Sequence, residues 1–323
     1  MAQSAQLLPH RILVTGSTGL VGNALVPLLL DAGCQVRAIA RSDASAAWTG
    51  HPACTFTRHD ILSDDPAHLV DGIDAIVHLA ARVHIMRDRA ADPLQENRRL
   101  NRDATLALAR AAAAGSVRQF VFTSTVKVNG ESTTLQPFTE ADNPDPQDAY
   151  AISKWEAETN LAELASNSAM GVTIIRPPLV YGPGVKGNFA SLMRAVARGL
   201  PLPLGLIQNQ RSLLYAGNLA DAIVAALGQP AAGARTFLLS DGHDLSTPAL
   251  VRAMATAMGR PARLLPVPLA LLRLAGTLTG RSATIARLMG SLAIDSSRIR
   301  GELGWKPRFT LEEGLSATVN KPR

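Results

Sequence analysis

The sequence predicts an α/β protein built on a doubly wound parallel sheet, with a smaller C-terminal α/β lobe that would bind substrate. Short apolar runs alternate with helical stretches, which is the pattern of strands joined by crossover helices. The first apolar run ends on closely spaced glycines that open a helix. The 323 residues are 47% hydrophobic but only 4% aromatic, with Ala and Leu dominant, a composition that suits helices packed on a sheet better than a β-sandwich.

Arg11–Thr15 (RILVT) reads as a buried parallel strand because it is continuously apolar and ends at glycine. Leu20–Ala32 follows as a helix stopped by Gly33, and Gln35–Ala40 as the next strand. Asp74–Leu79 (DAIVHL), Gln119–Thr123 (QFVFT) and Val172–Arg176 (VTIIR) are further strands, the last closed by Pro177 and Pro178. Helical patterns over Pro93–Ala114 and Asp148–Ser166 lie between them. After residue 177 proline and glycine punctuate the chain and no second glycine fingerprint occurs. The expected division is a flexible leader over 1–10, a dinucleotide-binding domain over 11–177, and a mainly substrate-binding lobe over 178–323 that interleaves with the first domain.

Met1–His10 lacks the charged start and apolar core of a signal peptide. Leu264–Leu278 is the most apolar late stretch, but Pro266, Pro268, Arg273 and Gly276 interrupt it, so it cannot span a bilayer. A buried helix is expected there, with light membrane contact as the alternative. Two cysteines, Cys34 and Cys54, give no disulfide framework, and Cys34 at a helix end suits a small core residue. These features fit a cytoplasmic protein. The formal charge is +6, carried by scattered basic residues with no polybasic run and no interleaved aromatics, which argues against nucleic acid as a partner.

Gly16-Ser17-Thr18-Gly19-Leu20-Val21-Gly22 leaves a strand and opens a helix. Glycines let the backbone approach a pyrophosphate, and the helix N-terminus offers unpaired N–H groups and the positive end of its dipole. The residue closing the second strand inspects the adenine ribose: an acid there selects the 2′-hydroxyl, an arginine nearby accommodates a 2′-phosphate. Ala40-Arg41-Ser42 stands at that point. Arg41, with Arg37 as a helper, therefore favours NADP(H), with NAD(H) as the alternative. Asp60 and Ile61 would meet the adenine, and the small Leu79-Ala80-Ala81 end of a strand would leave room for the middle of the cofactor.

Hydride transfer at a carbinol or carbonyl carbon needs a group that moves a proton at the oxygen. Tyr150 and Lys154 lie four residues apart, on one face of the predicted helix. A lysine cation so placed would stabilise the phenolate and lower a pKa that is otherwise near 10. Lys154 could also hold the nicotinamide ribose. Thr125 or Ser124, at the end of a strand, could bond the substrate oxygen and Tyr150. This chemistry calls for no metal.

Taken in order, the glycine turn, His78-Leu79-Ala80-Ala81, Asn101 with Thr105, Thr123-Ser124-Thr125 and Tyr150 with Lys154 resemble the extended short-chain dehydrogenase/reductase family, over nearly the whole chain from Arg11 to Trp305. The likeness is to the NAD-dependent epimerase/dehydratase branch and, within it, to surface-polysaccharide enzymes that act on UDP-sugars. It implies a Rossmann-type domain, with Thr125 as the catalytic hydroxyl beside Tyr150 and Lys154, and with Asn101, Thr123 and Ser124 as cofactor neighbours. Pro177 and Val180, in the block Arg176–Gly184, would lie beside the nicotinamide. Asn188 and Arg211 would contact the sugar diphosphate, Arg287 or Arg281 would be the second diphosphate arginine, and His84 would lie near the sugar. The guanidinium of Arg211 suits a diphosphate. The dehydratases' acidic pair after the catalytic hydroxyl is replaced by Val126 and Lys127, which disfavours 4,6-dehydration.

The expected activity is reduction of a UDP-4-keto-6-deoxy-hexose, of the UDP-2-acetamido-2,6-dideoxy-hexos-4-ulose type, at C4. The first alternative is a UDP-glucose or UDP-N-acetylglucosamine 4-epimerase with tightly bound NAD. A second is a dinucleotide-binding sensor or assembly factor without catalysis. Helices Pro93–Ala114 and Asp148–Ser166 match those that pair subunits in the family, which implies a homodimer.

Overall fold

The computed structural model describes residues 8–43, 46–62, 65–83, 92–280 and 282–320. Seven parallel strands form the main sheet: β1 (Arg11–Thr15), β2 (Gln35–Ala40), β3 (Cys54–Arg58), β4 (Ala75–His78), β5 (Gln119–Thr123), β6 (Gly171–Arg176) and, after a long excursion, β9 (Ala234–Leu238). Their order is β3-β2-β1-β4-β5-β6-β9. Strand order reverses at β1, which pairs with β2 on one side and β4 on the other. That opens a crevice beyond the carboxyl ends of β1 and β4, where open α/β sheets bind ligands.

Period-2 alternation sorts the strand residues into two cores. Ile12, Val14, Ala75, Val77, Val121 and Ile175 point to one side, under α1 (Leu20–Asp31) and α7 (Ala216–Leu227). Leu13, Ile76, Phe120, Phe122, Val172 and Ile174 point to the other. There they meet α2 (Ala67–Val70), α4 (Thr105–Ala114) and α5 (Ala149–Ser166). The expected helix over Pro93–Ala114 is α3 (Pro93–Arg98), a π-helical stretch over Arg99–Ala104 and then α4, run end to end. Asp92 and Asp148 cap α3 and α5, each accepting a hydrogen bond from a backbone N–H of the first turn.

The chain then forms β7 (Leu179–Tyr181), α6 (Gly187–Ala197) and β8 (Leu213–Tyr215), with β7 and β8 paired in parallel. Beyond β9 come α8 (Thr247–Ala257), α9 (Leu269–Leu278), α10 (Ser282–Met289), α11 (Ser297–Leu303) and α12 (Leu311–Val319). A separate core of Tyr181, Phe189, Leu204, Leu250, Met254 and Leu315 holds this lobe together.

Two strands of the main sheet have no counterpart in the sequence reading. β3 and β9 are the outer strands of the sheet; β3 (CTFTR) has no fully buried residue, and only Phe237 and Leu238 of β9 are buried. Edge strands bury little, so they carry no apolar run to read. The expected burial of the Leu264–Leu278 stretch is also not met. In α9 only Leu272 and Gly276 are buried, and Leu271, Leu274 and Leu278 are exposed.

Candidate active site

The glycine turn forms at the carboxyl end of β1. Gly16 adopts a φ of 66°, and a Cβ there would lie 2.8 Å from the Ala80 amide nitrogen. A Cβ on Gly22 would lie 2.4 Å from the Ser17 carbonyl oxygen, so both positions exclude any side chain. Ser17 is pinned to β2, its hydroxyl donating to the Ile39 carbonyl at 3.1 Å. Gly19 caps α1 without a side-chain bond, and Leu20, Val21 and Gly22 form the first turn, so their amides lie at the helix N-terminus. Leu79, Ala80 and Ala81 run half-buried past this turn from the end of β4.

Behind the turn lies a buried polar chain that sequence reasoning did not connect. Thr105 donates to the Asn101 carbonyl at 2.9 Å and so accepts from His78 Nε2 at 3.0 Å. His78 Nδ1 is then an acceptor for the Thr15 hydroxyl at 2.9 Å, and Thr15 in turn accepts from the Ala80 amide at 3.1 Å. This assigns His78 as neutral with its proton on Nε2. Burial, and then the nearby Lys154 cation, push its pKa down to about 3. Asn101 is fully buried in the π-helical stretch; it accepts from the Arg82 amide at 2.8 Å and donates to the Ser153 hydroxyl at 3.0 Å. Ser153 donates to the Tyr150 carbonyl at 2.8 Å, so the glycine turn and α5 share one network. The four-residue spacing of Asn101 and Thr105 was the visible signal; Ser153 had none.

Thr123 ends β5, and Ser124 and Thr125 follow it. The hydroxyls of Thr123 and Ser124 are buried with no partner among the described residues. Thr125 is nearly buried, and its hydroxyl accepts from the Lys127 amide at 3.3 Å. Tyr150 and Lys154 occupy the first two turns of α5. Lys154 is 1% exposed, with Nζ 3.9 Å from the centroid of the Phe122 ring, whose plane also stacks against His78. Burial pushes the Lys154 pKa down to about 7 against the raising effect of Glu158. The expected depression of Tyr150 is not met: burial first and the Asp148 carboxylate second raise its phenol. Loss of water penalises the phenolate, and Asp148 is the charge that acts on it.

Two ion-pair systems flank this helix. Arg176, at the end of β6, grips Glu158 in a fully buried pair, Nη2 to Oε2 at 2.6 Å, and donates to Asn129 at 2.9 Å. Lys127 bridges Glu131 at 2.7 Å and Asp148 at 2.6 Å. Lys127 is thus a cation held by two carboxylates. Pro177 is buried, its carbonyl accepting from the Val126 amide at 3.0 Å, and Val180 is half-buried in β7.

At the β2 end, Ala40 is buried and Arg41 exposed. The Arg41 carbonyl accepts from Arg58 Nε at 3.1 Å, which brings a second arginine from β3 to this edge. Arg37 does not help: its guanidinium donates to the Leu69 and Asp71 carbonyls at 2.7 and 3.1 Å, at the far end of α2. Asp60 is half-buried and Ile61 buried just beyond β3. In the C-terminal lobe, Asn188 is exposed on the first turn of α6. Arg211 Nη1 donates to the carbonyls of Arg287 and Gly290 at 2.7 and 3.0 Å, so Arg211 sits against α10, which carries Arg287. Burial lowers the Arg211 pKa. His84 and Arg281 lie outside the described residues.

These residues fit a dinucleotide on two observations: a backbone cradle at Gly16 and Gly22 that a Cβ would fill, and the unpartnered buried hydroxyls of Thr123 and Ser124. The comparisons with known proteins agree. A UDP-glucose 4-epimerase of Vibrio cholerae is 44% identical over 322 residues, covering 99% of this chain and 97% of that one. A UDP-glucose 4-epimerase of Mycolicibacterium smegmatis is 30% identical, covering 96% and 97%. The fold matches a crystal structure of UDP-glucose 4-epimerase with UDP-glucose from Thermotoga maritima with a TM-score of 0.77, at 22% identity over 96% of this chain and 97% of that one. Residues 12–239 match the family described as NAD dependent epimerase/dehydratase, and the chain belongs to that family.

Proposed function

We propose that this enzyme inverts C4 of a UDP-hexose while retaining its dinucleotide. The observation that carries the reading is Tyr150 one helical turn from the buried cation Lys154, beside the unpartnered hydroxyls at the end of β5. The 44% identity to a UDP-glucose 4-epimerase along almost the whole chain favours epimerisation over other C4 chemistry. When bound, the dinucleotide supplies the hydride acceptor and donor at C4. Gly16 to Gly22 would hold its pyrophosphate, and Thr123, Ser124, Pro177 and Val180 would line its nicotinamide half.

In this mechanism Tyr150 takes the proton from the O4 hydroxyl and later returns it. Its raised pKa keeps it protonated at rest, so it can take the O4 proton only after a positive charge near the phenol has lowered that pKa and the phenol has released its own proton. Lys154, held within one turn by α5, supplies such a charge, and the Arg176–Glu158 pair fixes the same helix. Thr125 orients O4. Arg211, Arg287 and Asn188 would bind the UDP diphosphate. The proposed enzyme works in the cytoplasm as a homodimer that pairs through α3, α4 and α5.

The expected reduction of a UDP-4-keto-6-deoxy-hexose is a second reading, and Arg58 beside Arg41 favours it. Two guanidinium groups, with Ala40 rather than an acid closing β2, suit the 2′-phosphate of NADPH, the usual reductant of a net reduction. Denaturing the purified protein and assaying the released dinucleotide separates the two. Stoichiometric NAD, with UDP-hexose turnover needing no added cofactor, supports the epimerase. Cofactor-free protein that consumes NADPH only with a UDP-4-ketosugar overturns it in favour of the reductase. Dinucleotide binding without turnover of any UDP-sugar supports a non-catalytic sensor.

A further inference from the structure

Residues 245–294 contain six arginines, at 252, 260, 263, 273, 281 and 287, and no acid. The whole chain has 32 basic and 26 acidic residues, so the rest carries 26 of each, and the net charge of +6 belongs entirely to this segment. The basic residues are therefore not evenly scattered. The acid-free segment includes α9 and α10, which pack against each other. It also bears much of the protein's exposed aliphatic surface. Leu271, Leu274 and Leu278 are 55, 55 and 78% exposed and recur on one face of α9. Leu265 is 45% exposed, and backbone bonds between Leu202 and the Arg263–Leu265 strip bring the loop carrying Leu200 and Leu206, 47 and 46% exposed, alongside. Arg198, just before that loop, and Arg273, on α9, are exposed. Arg263 donates to the Gly199 carbonyl at 3.3 Å, across the joint between the two strips.

Exposed leucines beside Arg198, Arg263 and Arg273, next to a sequence segment without acids, are the composition of a helix that lies in a membrane interface, its apolar side among acyl chains and its cations on anionic headgroups. No helix among the described residues is long and apolar enough to cross a bilayer. We propose that α9 and the adjoining 199–206 loop dock this enzyme peripherally on a bilayer carrying anionic phospholipids. Charge decides the occupant: a second copy would bring the same excess of arginines against these, whereas anionic lipid neutralises them. Docking would also set α10, the helix against which Arg211 rests, next to the membrane surface.

The test is co-sedimentation of the full-length protein with large vesicles of phosphatidylcholine alone or with about a third phosphatidylglycerol. The expected result is partitioning at least about tenfold stronger onto the anionic vesicles, weakened by added salt. The L271Q/L274Q/L278Q variant should lose that binding while keeping its far-UV spectrum and melting temperature, because all three side chains are more than half exposed. R198E/R273E should lower the partitioning about tenfold or more, since each juxtamembrane cation contributes about fivefold. Equal partitioning onto neutral and anionic vesicles, or unchanged binding of the leucine variant, overturns the proposal. So does a wild type that ignores both vesicles while the leucine variant changes from dimer to monomer in light scattering, which would assign the face to a second copy.

Discussion

Loss of water acts on Tyr150 and Lys154 in opposite directions, raising the phenol and lowering the ammonium to about 7. The pair therefore rests close to Tyr–OH beside a lysine that is easily neutralised, and the site is costly to keep in the folded chain. Removing the lysine relieves that cost. Lys154→Met is expected to abolish turnover yet leave the protein as stable or about 1–2 kcal/mol more stable, read from thermal melts at pH 7. Tyr150→Phe should lower kcat about 10²–10⁴-fold with an unchanged melting temperature, since it removes only the proton carrier. A melting temperature lowered by Lys154→Met would mean that its contact with Phe122 outweighs its desolvation. The sequence displayed this pair through its spacing, but the direction of the Tyr150 shift was invisible, because it depends on burial and on Asp148.

At the scale of elements, α5 is tied to its surroundings by polar bonds more than by an apolar stripe. Ser153 and Asn101 join it to the π-helical stretch, Glu158 joins it to β6 through Arg176, and Asp148 joins it to Lys127. Glu158→Gln strands the Arg176 charge in the core and should cost about 3–5 kcal/mol in urea unfolding, whereas the double change to methionine at 158 and 176 should cost far less. Glu158→Gln should also lower the Lys154 pKa further, which a shift of the kcat–pH profile to lower pH would reveal. At the β1–α1 turn, Gly22→Ala forces a methyl group against the Ser17 backbone and should cost about 1–3 kcal/mol, with weaker dinucleotide binding by fluorescence titration.

For the whole molecule, two buried bases set the response to pH. His78 has a folded pKa of about 3 against an ordinary 6.5, so between those values the unfolded chain binds the extra proton. Stability from this group is complete above pH 6.5 and is lost as pH falls toward 3. Lys154 follows the same sign in its own window: stability rises between pH 7 and 10.5 as the unfolded chain gives up the proton that the folded one has already released. Acid unfolding should therefore begin below about pH 6.5, and His78→Gln should flatten the profile there while lowering stability at pH 7, checked by urea midpoints at several pH values. Saturating the protein with NAD at about a hundred times its Kd should raise stability by about 2.7 kcal/mol, and stripping the dinucleotide should remove that gain.

The sequence by itself determined the buried strands, the glycine turn and the order of Thr125, Tyr150 and Lys154. Each is a local pattern: a continuous apolar run, a backbone approach that only glycine allows, and a helical spacing of four. Tertiary structure alone decided what those patterns could not hold. It made β3 and β9 into strands by pairing them at the sheet edges, turned Arg37 away to the end of α2, and brought Arg58 to Arg41. It joined Thr15, His78, Thr105, Asn101 and Ser153 into one buried chain, and left Leu271, Leu274 and Leu278 of α9 more than half exposed. The physical reason is the same throughout: burial and pairing between distant segments follow from which surfaces meet, and a linear pattern records only the neighbours along the chain.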